Sequence, residues 1–209
     1  MEPIIIGVLL LASVLGLTFI IERGFALRES KVLPATVQAA LDTFRGPEDL
    51  PMLRRICEQH PSTLSRLLLL IDKRRAWPKG ENISALETSA RREISRLERG
   101  LVILEIVVGV APLLGLVGTI YGLITIFASV GTAGLGDNNT LAKGIAVALN
   151  ATLLGLLTAI PSLVAWSYYS KKVENLAVEL ASLCSTFIIR QYNAEDAVEP
   201  APLSRGREV

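Results

Sequence analysis

Thr119 and Thr152 each stand in a run of small residues spaced for one face of a helix. The first run is Gly115, Gly118, Thr119, Gly122, Ile126 and Ser129. The second is Gly144, Ala148, Ala151, Thr152, Gly155, Ala159 and Ser162. A threonine in such a place has two uses. Its hydroxyl can bond the carbonyl three or four residues back and need no other partner. Alternatively it can line a polar path and solvate a charge that passes through apolar surroundings. Two threonines on two matched stripes weaken the first reading without reversing it. Asn150 lies on the opposite side of its helix from Thr152. An amide in hydrocarbon must find partners or cost several kcal/mol, so it either bonds another subunit or lines a wet path. Pro112 and Pro161 each remove one helical hydrogen bond. Each is either a tolerated membrane proline or a hinge whose freed carbonyl can hold water or an ion. Glu105, near the start of its apolar stretch, either snorkels or pairs between subunits, or guards a cytoplasmic ion exit.

The missing chemistry narrows the choice. No Asp or Glu falls in the middle of an apolar stretch: Glu105 is at one end and Asp137 lies in a connecting loop. Thr and Asn do not titrate near neutral pH, so a proton carrier at membrane depth has to come from a partner. There is no Walker-type loop, no HExxH and no GxSxG, so no catalytic residue is assigned and no enzyme is expected. One histidine, His60, and two cysteines, Cys57 and Cys184, give no basis for a metal site, a cofactor or a disulfide framework. With 21 Lys+Arg against 20 Asp+Glu, the chain has no basic excess for nucleic acid.

The elements that position these residues follow from hydropathy. The chain of 209 residues is 51% apolar, and its charges are segregated. A membrane span needs about 20 apolar residues. Three stretches qualify: 4–21, 101–130 and 144–170. The first fits a signal peptide poorly, because no Lys or Arg precedes it and Glu22-Arg23-Gly24 follows it. Residues 23–100 hold fifteen Lys and Arg, the connection between the second and third spans holds only Lys143, and five follow Tyr169. The positive-inside rule then puts the N-terminus outside, 22–100 inside, the 131–143 loop outside and the C-terminus inside. Trp166, Tyr168 and Tyr169 belong to an interfacial belt.

The remaining chain reads as helix, with Pro34, Pro47, Pro51, Pro61 and Pro78 as punctuation. A helix from Ser84 to Gly100 is expected to run unbroken into the second span. Val173, Leu176, Ala177, Leu180, Leu183, Cys184 and Phe187 form an apolar stripe beyond the third, over 171–192. Residues 193–209 read as a tail. The expectation is therefore an all-α membrane protein with three transmembrane helices and long cytoplasmic helical extensions. Its spans associate through Gly115, Gly118, Gly122, Gly144, Ala148 and Gly155, where small residues let helices approach.

The runs VAPLLGLVGTIYG, from Val110 to Gly122, and GIAVALNATLLGLLTAIP, from Gly144 to Pro161, resemble the second and third membrane helices of the ExbB/TolQ/MotA proton-channel family. The three-span layout with a large cytoplasmic insert is similar to its ExbB and TolQ branch. The resemblance implies a homo-oligomer, a pentamer, in the bacterial inner membrane. That pentamer would enclose the single membrane helices of an ExbD/TolR-like subunit that brings an essential Asp, and a TonB- or TolA-like protein would take up the motion. It implies H⁺ as the ion, with Na⁺ open, and pore threonines at Thr119 and Thr152. Many ExbB and TolQ members carry Glu in a GlyIleAlaGluAlaLeu-like run; here that position is Val147, and Asn150 is the candidate to share its polar role. A passive membrane scaffold, whose cytoplasmic helices anchor other proteins, is the competing reading.

Overall fold

The computed structural model describes residues 2–133 and 138–198. Asp137 and the centre of the 131–143 connection, the side chain of Ser129, and residues 199–209 of the tail lie outside what is described. Among the described residues every regular element is a helix. Three of these helices are long and apolar enough to cross a membrane: those containing 4–26, 101–128 and 141–193.

The chain divides into two compact units. One comprises Met1–Leu27 and Leu97–Lys172, the other Arg28–Arg96 and Val173–Val209. The first unit is built from α1 (Glu2–Ala26), α7 (Leu101–Ala133) and the first part of α8 (Asn138–Val198). Its core is small: Leu9, Val107, Ala111 and Ala159, with Ile5, Leu114 and Leu154 packed on it. Leu11, Val14, Leu113, Val117, Phe127, Leu149 and Leu153 all face outward. In water this surface would aggregate; in lipid it gains nothing by being hidden, so the helices approach most closely where small residues permit. Gly16 on α1 is one such point: a Cβ there would lie 2.9 Å from Ser162 Oγ. The Tyr169 hydroxyl donates to Ile20 O at 2.9 Å and ties α1 to α8 at the same end.

The expected continuous helix through Gly100 does not form. Here α6 (Lys79–Glu98) stops and α7 begins at Leu101. Arg23 is the physical reason. Its guanidinium, bidentate on Glu22, also donates to Leu97 O at 3.2 Å, capping a terminal carbonyl of α6. Gly100 is buried beneath it, and a Cβ at that position would collide with Arg23 Nε.

The second unit holds α2 (Glu29–Val32), α3 (Ala35–Thr43), a 3-10 turn (Pro47–Asp49), α4 (Leu50–Gln59), α5 (Thr63–Lys73), most of α6 and the last part of α8. Pro34 stands at the N-cap of α3, immediately before its first turn. The α8 stripe is buried at Val173, Leu176, Leu180, Cys184 and Phe187, with Phe187 edge-on to Phe44 at 5.0 Å. Arg190 Nη1 donates to Leu41 O and Phe44 O, satisfying the C-terminal carbonyls of α3. Ser62 caps α5 by accepting from Ser65 N at 3.1 Å. Two buried carboxylates are compensated: Asp72, 6% exposed, by Arg54, and Glu93 by Arg66 and Arg96.

Cys57 lies in this core, and burial pushes its thiol up to about 11. The thiolate is the reactive form, so Cys57 is expected to resist iodoacetamide at pH 8 in the folded protein and to react once denatured. Mass spectrometry of alkylated peptides checks this; rapid labelling of the native chain would contradict the packing.

Candidate functional site

The small-residue stripes of α7 and α8 meet each other. A Cβ at Gly115 would lie 2.9 Å from both Ala151 O and Thr152 Cα, and one at Gly118 would lie 2.6 Å from Ala151 Cβ. At Gly122 it would meet Ala148 Cβ at 2.7 Å, and at Gly144 it would meet Ile126 Cγ1 at 2.7 Å. At Gly155 it would lie 2.6 Å from Ala111 O and 3.2 Å from Gly115 Cα. Residue numbers rise along one helix as they fall along the other, so the seam is antiparallel. From Gly144 to Gly155 it covers three turns, with the two backbones in direct contact.

Thr152 is half-buried at this seam, and its Oγ1 donates across it to Gly115 O at 3.1 Å. That carbonyl is the one the Thr119 amide takes in an unbroken helix, so the oxygen serves both helices. Thr119 is one turn along α7, also half-buried, with its Oγ1 donating to Leu116 O at 2.7 Å. Its oxygen lone pairs remain available as acceptors. The two hydroxyls flank the seam without bonding each other.

Two further hydroxyls on α8 bond back along their own helix. Thr158 Oγ1 donates to Leu154 O, and the buried Ser162 Oγ donates to Thr158 O, both at 2.9 Å. The sequence signal for them is their i, i+4 spacing around Pro161. Ser162 belongs to the small-residue stripe of α8; Thr158 does not. A cavity of about 100 Å³ opens beside Thr158, between it and Leu9, Leu10 and Ser13 of α1.

The remaining candidates sit outside the seam. Asn150 is exposed, and its amide has no bonding partner among the described residues. Val147 is exposed on the same side, one turn away. Glu105 is exposed on α7. Pro112, half-buried, and Pro161, exposed, lie inside helices that run on through them. Each lacks an N–H, so Val108 O and Leu157 O lose their ordinary helical donors. Groups of His, Cys, Asp and Glu that could hold a metal ion are absent among the described residues.

Comparison with known proteins gives a consistent picture. The model of the MotA/TolQ/ExbB proton channel family matches residues 64–182, which take in α5 from its second residue, α6, the whole α7–α8 seam and the α8 stripe as far as Leu180. The chain is 35% identical over 161 residues to a putative biopolymer transport protein, ExbB-like 1, of Synechocystis sp., covering 73% of this chain and 61% of that relative. It is 31% identical over 182 residues to the Tol-Pal system protein TolQ of Pseudomonas aeruginosa, covering 80% and 78%. A shorter match, 40% identical over 81 residues, covers 39% of this chain and 56% of the biopolymer transport protein ExbB of Helicobacter pylori.

Proposed function

This chain belongs to the MotA/TolQ/ExbB proton channel family, and from that membership we propose that it is the ion-conducting stator subunit of an ExbB–ExbD or TolQ–TolR type motor in a bacterial inner membrane. Its N-terminus is periplasmic and its C-terminus cytoplasmic. Several copies, five by family analogy, surround the membrane helices of a single-span partner that carries an Asp.

The observation that carries this reading is the pairing of a seam with hydroxyls at its edge and no carboxylate in the middle of any span. Such a surface can solvate an acid but cannot bind a proton itself. The Asn150 amide, exposed and without a hydrogen-bond partner among the described residues, supports assembly, because hydrocarbon offers no hydrogen bond in exchange.

In this mechanism, protonation of the partner's Asp removes a charge whose burial costs a few kcal/mol. The partner helix then moves past the apolar wall, and release of the proton on the cytoplasmic side resets it. A gradient of about 150 mV supplies roughly 3.5 kcal/mol per charge, enough to bias one such step. Thr119 holds the acid through its free acceptor sites before release and through a rotated hydroxyl donor after it. Thr152 holds Gly115 O in place so that the wall stays rigid. Motion of the partner reaches a periplasmic load of the TonB or TolA kind.

The test is reconstitution in liposomes with a pH-sensitive dye, together with the mass of the purified complex. Proton flux is expected only when the chain is co-purified with a single-span Asp-bearing subunit, and it is expected to vanish when that Asp becomes Asn. Flux of equal size from the chain alone would refute the borrowed-acid mechanism. A complex without such a subunit would favour the scaffold.

A further inference from the structure

A cavity lies in the second unit, lined by residues of α5, α6 and the last part of α8. It is a groove of about 500 Å³ between α6 and the last part of α8, with Leu67 of α5 at its floor. The Asn82 amide donates to the Tyr192 hydroxyl at one end. From that point the lining runs up α6 to Ile94 and down α8 to Ala177, so the two walls are antiparallel. At 1.5 Å per residue the groove is roughly 20 Å long.

Alanines keep it open. Ala90 on one wall and Ala177 and Ala181 on the other stand where longer side chains would fill the gap between the helices. Its polarity is graded along its length. The half formed by Ala90, Ile94, Ala177 and Ala181 is wholly apolar. Glu87 and Ser185 sit on the rim near the middle, and Lys79 stands at the far end, exposed, at the first residue of α6. Beside it Gly80 leaves open space, with no atom within 4 Å of a Cβ, and the positive end of a 20-residue helix adds to the ammonium. Ile83 and Ile189 line the approach and remain 36% and 47% exposed.

We propose that this groove binds a long-chain fatty carboxylate, with its acyl chain between the alanine-lined walls and its head at Lys79. A long, narrow slot that is apolar at one end and cationic at the other matches a single-chain anionic amphiphile in shape and in charge. A helix from another copy, about 10–12 Å across, would have to spread the walls.

The test uses the full chain in lipid nanodiscs and a sixteen-carbon fatty acid carrying a photoreactive diazirine in its chain. Cross-links are expected in the peptides containing residues 83–94 and 177–189, and palmitate is expected to compete them away. The pair Ala90→Leu and Ala181→Leu is expected to cut that labelling at least tenfold. Lys79→Glu, a surface change that leaves the packing alone, is expected to weaken labelling by the acid severalfold and to spare labelling by the matching alcohol. Labelling confined to the membrane spans overturns the proposal, as does equal loss of acid and alcohol in Lys79→Glu. A disulfide joining Ala90→Cys of one copy to Ala181→Cys of another also overturns it, because a second copy would then occupy the groove.

Discussion

Thr119→Val is expected to reduce ion-driven output about ten- to hundredfold while leaving assembly and thermal stability unchanged. Among the described residues the side chain bonds only its own helix, at Leu116 O, a carbonyl that keeps its helical backbone donor, so its removal breaks no hydrogen bond between helices. What is lost is an oxygen that can solvate a partner's acid. A hydrogen bond to a charged group contributes about 1.5–3 kcal/mol, and each 1.36 kcal/mol in a barrier is tenfold in rate. Proton flux in liposomes measures the first half of the expectation, and complex mass with melting temperature measures the second. Thr119→Ser, which keeps the hydroxyl, is expected to restore flux. Thr152 behaves differently, because its hydroxyl spans the seam to Gly115 O. Such bonds in membranes average about 0.6 kcal/mol, so Thr152→Val mixes a structural loss with any loss in the ion path. Full flux in Thr119→Val would refute the role given to Thr119 in the ion path.

Gly155→Leu is expected to disrupt the first unit. A Cβ at 155 would lie 2.6 Å from Ala111 O and 3.2 Å from Gly115 Cα, and both of these are backbone atoms that cannot turn aside. The helices must part along the seam, which also breaks the Thr152–Gly115 bond. Overpacking in a dense contact costs typically 1–3 kcal/mol, and a seam with no hydrophobic drive behind it has little reserve. The expected outcome is a lowered melting temperature and loss of a monodisperse complex in detergent. Gly109→Leu is the control: nothing lies within 4 Å of a Cβ there, and the residue faces outward. If Gly155→Leu assembles and melts like the parent chain, the seam is not what holds α7 to α8.

Much of this architecture is legible in residue order, for a physical reason. Hydrocarbon forces every backbone group into helix, so length and the absence of charge are enough to mark the spans, and the stripe from Val173 to Phe187 reveals a buried face by its 3.6-residue period. The break at Arg99–Gly100 was not legible, because its cause is Arg23, seventy-four residues before Leu97. Thr158 is hard to read from sequence because a single i, i+4 pair with Ser162 is too short to stand out as a period in an apolar run; its place beside the small cavity depends on α1.

The order of residues by itself determined that this is a helical membrane protein with small, hydroxyl-bearing stripes and no acid of its own at mid-span, because those properties belong to composition and local period. Only tertiary structure decided that the two stripes close on each other within one chain, that Thr152 reaches Gly115 O while Thr119 turns back on its own helix, and that α6 and α8 stand apart over an alanine-lined groove. The physical reason is that a stripe specifies what a helix face can approach, while the partner it meets depends on every other face competing for the same contact.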